Sequence, residues 1–130
     1  MKNNKHVAKL WIEKADKDLG VAELLLKKKN QYLDLASFHC QQDFEKYLKS
    51  LIAYHGIFPE RTHDLVELLN KTLKYKFELM KFIDAAKALT PYAVIPRYPN
   101  EIFDVSIPKL RSLIKKTKKL AELMKELINV

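Results

Sequence analysis

Helix breakers are almost missing from this chain, and where they fall constrains the fold more than any other feature. Residues 1 to 58 contain no proline, four of the five prolines (Pro91, Pro96, Pro99 and Pro108) lie within 18 residues, and Gly20 and Gly56 are the only glycines. Proline removes a backbone donor and pushes the residue before it into extended geometry. Long helices are therefore open to the chain everywhere except near residues 90 to 105. The apolar spacing agrees. A first amphipathic helix is expected over about 5 to 29, with Val7, Trp11, Ala15, Asp18-Leu19, Ala22 and Leu25-Leu26 on one face. A second, about 33 to 55, carries Leu35, Phe38, Cys40, Phe44, Leu48, Leu51 and Ile52, and stops at Gly56, a natural left-handed cap. Asp64 with Glu67 reads as a capping box for a third helix running to about Lys74, with Thr62 the competing cap. A break near Tyr75 separates it from a fourth helix over 77 to 89. The last helix starts at Ser106, with Pro108 in its first turn. No stretch alternates with period two long enough to build a sheet. The fold class expected is all-α: one domain over residues 1–130, an up-and-down bundle of four to five helices.

Composition removes several classes of function. A lone cysteine, Cys40, excludes an internal disulfide and a thiolate-rich metal site within one chain, and reads as a small buried apolar residue. Two glycines cannot make a phosphate-cradling or dinucleotide-binding loop. No apolar run approaches the roughly 20 residues of a membrane helix, and the basic start, Met1 to His6, is followed by charged helical sequence. No membrane association, no cofactor and a cytoplasmic location are the expectations.

The formal net charge is +8, and 21 of the 24 cations are lysine. Residues 1 to 30 carry +4 and 109 to 130 carry +5, while the middle of the chain is close to neutral. If the first and last helices are neighbours, they share one basic face, densest at Lys115, Lys116, Lys118 and Lys119. That face is either an ordinary solvated surface or a phosphate or nucleic-acid footprint.

Polar residues in apolar stripes are more telling. Asp18 falls on the first helix's stripe, and Gln42, Glu45 and Lys49 continue the face that Phe38 begins and Ile52 ends. Buried charges cost several kcal/mol unless paired, so these four are expected in one connected cluster, either a helix-to-helix brace or part of a site. The histidines are scattered, and none has the short spacing of a helical metal site. His63 stands beside Asp64 at a helix start, with Arg61 two residues earlier, where a helix N-terminus favours the neutral imidazole. Arg61, His63 and Arg97 lie at loop edges, with Tyr92 and Tyr98 near enough in sequence to offer rings to a base.

In order along the chain, these pieces resemble the HEPN domain family. Trp11, Ala15, Asp18-Leu19, Ala22 and Leu25-Leu26 look like its opening pattern, and QQDFEKYLK at 41 to 49 is similar to its glutamine, glutamate-lysine, leucine-lysine signature. Gly56, Thr62-His63-Asp64-Leu65 with Leu68-Leu69, and Arg97-Tyr98-Pro99 after Tyr92 follow in the family's order. The resemblance implies a four- or five-helix bundle like the substrate-binding domain of nucleotidyltransferases, usually a homodimer, often working with a minimal nucleotidyltransferase. Many relatives are ribonuclease toxins that carry an arginine followed four to six residues later by a histidine. Here no arginine satisfies that spacing: Arg61 meets Leu65 to Leu68, Arg97 meets Ile102 to Asp104, and Arg111 meets Lys116 to Lys118. Two main readings follow. One is a dimeric nucleotide-binding or nucleotidyltransferase-partner module of toxin–antitoxin type, with Arg97, Tyr98, Tyr92, Lys49, Gln42, Glu45 and Asp18 as candidate binding residues. The other is a metal-independent ribonuclease with His63 as base and Arg61 or Arg97 at the phosphate. A basic nucleic-acid-binding bundle is the third alternative.

Overall fold

The Asn3 side chain accepts a hydrogen bond from the His6 amide, satisfying one of the orphan donors at a helix start, and α1 runs from there over Asn4–Leu26. The computed structural model describes residues 3–94 and 104–130. Among these there are five α-helices and no strand. A 3-10 turn at Lys29–Tyr32 reverses the chain into α2, Leu33–Tyr54. Helix α3 is Leu65–Thr72, α4 is Ile83–Leu89, and α5 is Ile107–Ile128. The result is the expected all-α bundle, with α2 packed against each of the other four helices.

The pair α1 and α2 has the most extensive contact, and α5 packs against both. The buried residues of α1, Ala8, Ile12, Ala15, Leu19 and Ala22, alternate spacings of four and three. Alanine recurs every seventh residue, so the seam is narrow and lets the partner helix come close. On α2 the small residues Ala36, Ser37, Cys40 and Ser50 are fully buried as well. Around them pack Phe44, Tyr47, Leu48, Leu65, Leu69, Leu79, Phe82, Leu110, Leu120 and Met124.

Two expectations about α1 need correction. Its buried seam keeps Ala15, Leu19 and Ala22 of the expected face and adds Ala8 and Ile12, whereas Val7 is exposed and Trp11 and Asp18 are half-buried at the rim. The stripe through Trp11, Asp18 and Leu25 also has a seven-residue repeat, so spacing alone does not separate seam from rim. The helix also ends at Leu26 rather than 29, because Lys29 adopts a left-handed backbone (φ 57°) inside the turn.

The break near Tyr75 is present, but Phe77–Phe82 forms a 3-10 turn and only Ile83–Leu89 is α-helical. Asp64, not Thr62, caps α3, accepting from the amides of Val66 and Glu67. Thr62 instead accepts from the Asp64 amide, which fixes the capping residue itself. Thr90–Ala93 forms one 3-10 turn with Pro91 near its start, and the chain is extended at Val94.

Candidate functional site

Gln41, Glu45 and Lys49 occupy successive turns of α2, and all three are buried. Glu45 is the centre of this group. One of its oxygens accepts from the Lys49 ammonium at 2.9 Å, and the other accepts from the Gln41 amide nitrogen at 3.3 Å. That second oxygen also holds His63 Nδ1 at 2.8 Å. Gln41 in turn donates to the His63 carbonyl at 3.1 Å, and Gln42 donates to the Gln41 side-chain oxygen at 2.7 Å. The loop before α3 is thus fastened to α2 through both the backbone and the ring of His63. Trp11 closes the α1 side, its ring 5.7 Å from the Lys49 ammonium.

A carboxylate only accepts, so His63 turns Nδ1 toward Glu45 as the donor, which leaves Nε2 as the nitrogen facing away from it. The His63 side chain is 65% exposed against 5% for that of Glu45. A buried anion therefore orients an imidazole that remains open to solvent, an arrangement suited to contacting a phosphate or moving one proton. Lys49 is held by Glu45 under Trp11, which makes it a brace rather than a free phosphate ligand.

The expected single cluster divides in two. Asp18 joins no chain with Lys49; it binds His39 Nδ1 at 2.9 Å and pairs with the Lys46 ammonium. Asp18 sits on the α1 rim, and Lys46, three residues before Lys49 on α2, is the cation that faces it. Arg61 is exposed, and among the described residues it makes no ion pair or side-chain hydrogen bond. Tyr92 is buried, with its hydroxyl donating to the Asp104 carbonyl at 2.8 Å, so its ring anchors the end of the proline-rich segment and is not laid open to a base. Arg97 and Tyr98 lie outside the described residues.

Several polar residues in this region were not singled out from sequence. Gln41 lies one turn before Glu45 and could have been found by that spacing. His39 and Lys46 could have been matched to Asp18 only with the helix pairing known. Asp43, fully buried on α2, has no hydrogen-bond partner for either carboxyl oxygen. Burial first, then the nearby Asp18 charge, raise its pKa well above the usual carboxylate range, outweighing the pull of the Phe44 amide and Lys46. Cys40 lies buried 3.7 Å from the Thr117 hydroxyl, and burial and Asp43 push its pKa up, which makes it a poor nucleophile. Among the described residues no three His, Cys, Asp or Glu side chains converge as a metal site would require, and no helix is long and apolar enough to cross a membrane.

Comparison with known proteins adds three findings. The model of the HEPN domain family matches residues 8–127. A Methanocaldococcus jannaschii protein named "Putative toxin MJ1304" is 34% identical over 103 residues, which span 74% of this chain and 66% of that protein. Among solved structures, a Thermus thermophilus protein superposes with a TM-score of 0.77 at 23% identity, covering 92% of this chain and 97% of that one. Another, described as an archaeal HEPN homologue, superposes with a TM-score of 0.71 at 24% identity, covering 98% and 99%. At these identities the two structures establish the fold alone.

Proposed function

The chain belongs to the HEPN domain family, and from that membership we propose that it is a homodimeric, nucleotide-binding module of a toxin–antitoxin-type system that works with a minimal nucleotidyltransferase. The observation carrying this reading is the His63 ring, fixed by buried Glu45 and Gln41 yet open to solvent. Fixing a ring in advance lowers the ordering cost of contacting a phosphate. Arg61, two residues away and exposed, is the nearest arginine in sequence that could pair with a phosphate oxygen. Arg97 and Tyr98 are proposed to complete the site, with Tyr98 stacking the base. The toxin-type context draws on the name of the archaeal relative, and the absent arginine-to-histidine spacing favours binding over RNA cleavage.

Calorimetric titration with ATP as the probe tests this directly. Arg61→Ala and Arg97→Ala should each weaken binding roughly tenfold while the melting temperature stays unchanged. His63→Ala should weaken it as much in a protein that stays folded at a somewhat lower melting temperature, since it removes a partner of buried Glu45. Equal affinities in folded variants would dismiss the site. Co-purification of the untagged protein with its genomic neighbours should recover a small nucleotidyltransferase.

One observation favours a second reading. With Nδ1 bound to Glu45, His63 Nε2 is the nitrogen left to take a proton from a ribose hydroxyl. RNA incubated with the protein in EDTA should then be cut, and His63→Ala should abolish the cutting. Intact RNA leaves the binding reading in place.

A further inference from the structure

Helix α5 runs beside α1, and along their shared groove the charges are compensated only in part. Towards one end, Lys125 pairs with Asp16 at 3.1 Å, and Asp16 also accepts from the Tyr47 hydroxyl at 2.6 Å. Further along, Lys118 pairs with Glu23 at 2.7 Å. Beyond that pair the acids stop. Lys27 on the α1 side, with Arg111 and Lys115 on α5, lines a cavity of about 320 Å³ together with Glu23, Lys118 and an apolar floor of Leu26 and Ile114. Lys27, Arg111 and Lys115 are exposed, and none forms an ion pair or a side-chain hydrogen bond among the described residues.

We infer that this cleft between the end of α1 and the start of α5 is a binding site for a phosphate group carried on a flat or apolar body. Three uncompensated cations around one concavity repel each other, and a multivalent anion removes that repulsion where a single carboxylate would remove only part. Arg111 supplies the planar fork that matches a pair of phosphate oxygens, and it is one of three arginines among 24 cations. The floor of Leu26 and Ile114 gives the attached group an apolar surface to cover, which a free ion would not need. Arg111, Lys115 and Lys118 are spaced four and three residues apart, so they face the groove together, whereas Lys116 and Lys119 do not line it. The cleft shares no side chain with the Glu45–His63 group, and the inference does not depend on the nucleotide reading of that group.

Three probes separate the sources of such a phosphate: pyrophosphate, adenosine monophosphate and a short oligouridine. Binding is measured by calorimetry or anisotropy at about 0.15 M salt, where purely diffuse attraction is largely screened. Arg111→Ala and Lys115→Ala should each weaken binding about tenfold, while Lys119→Ala, which removes the same charge outside the cleft, should change it less than about twofold. All three side chains are exposed, so melting temperatures should agree and loss of fold will not mimic loss of binding. Saturable binding of the monophosphate identifies a small phosphorylated ligand; binding of the oligouridine alone identifies a nucleic-acid backbone. Equal losses in all three variants, or no binding of any probe, overturn the inference. Loss in His63→Ala as large as in Arg111→Ala would also overturn it, since the two sites would then be one, whereas failure of the His63 site alone leaves the cleft untouched.

Discussion

Asp43 is a cost that the fold carries at a single residue. With neither oxygen hydrogen bonded and the pKa raised by burial and Asp18, its charged form is worse in the native state than in the unfolded chain. A carboxyl whose folded pKa is raised contributes stability that is lost as pH rises, beginning near the unfolded value of about 3.9 and continuing to the raised folded value. Asp43→Asn keeps the shape and removes the charge. Its melting temperature should therefore exceed that of wild type by several degrees at pH 7, with the gap closing as pH falls towards about 4. A gap that does not vary with pH would show that the charge is not the cause. The Glu45–Lys49 pair behaves in the opposite way, because both members are buried and satisfied. Lys49→Met should cost about 3 to 5 kcal/mol by leaving Glu45 without its cation, and Glu45→Leu added to it should recover most of that loss. If the double variant is no more stable than the single, the carboxylate was not the source of the cost.

Helix ends show how far local chemistry reaches. Helix α2 closes with a bond from the Gly56 amide to the Ala53 carbonyl and another from the Ile57 amide to Ile52, with Gly56 left-handed at φ 82°. A methyl group added at Gly56 would lie 3.1 Å from the Asn4 side chain as well as in a strained backbone region. Gly56→Ala should thus cost about 1 to 2 kcal/mol, whereas Gly20→Ala, mid-helix with nothing within 4 Å, should stabilise by about 0.5 to 1 kcal/mol. Opposite signs in urea denaturation check the pair. Gly56 could be read as a stop from sequence because few residues tolerate that backbone. Asn129 closes α5 with the same bond pattern, left-handed at φ 60°, and asparagine is too common elsewhere to announce it. The helices of α1, α2 and α5 were legible because proline is absent from them or sits only in a first turn. The partners of Asp18 were not, because two parallel seven-residue repeats, Ala8-Ala15-Ala22 and Trp11-Asp18-Leu25, compete for the core and only packing against α2 decides between them. Glu45 and Lys49 could be marked as inward-facing because they continue the α2 face between Phe38 and Ile52, while the bond to His63 could not, since it joins α2 to a loop 18 residues away.

At the scale of the whole molecule, the proposed homodimer has a surface to account for it. Phe58 is 78% exposed and Ile57 47%, and with Val7 and Trp11 they line a cleft of about 340 Å³ between the start of α1 and the loop after α2. Phe58 also borders a second cavity with Ile52 and Tyr75, so one ring stands between two hollows on the same side of the bundle. An aromatic ring left this open gains little in a monomer, and burying one contributes roughly 2 to 3 kcal/mol, enough for an interface to depend on it. Nothing here requires the basic groove of α1 and α5, whose cations would repel those of a second copy, so the dimer should form on the apolar cleft and leave that groove open. Sedimentation velocity should give twice the 15.2 kDa chain mass for wild type. Phe58→Glu, which puts a charge at the centre of the contact, should sediment as a monomer with an unchanged helical spectrum, while Arg111→Ala should remain dimeric. A wild-type monomer at high micromolar concentration would exclude the dimer, and a Phe58→Glu dimer would move the interface elsewhere on the bundle.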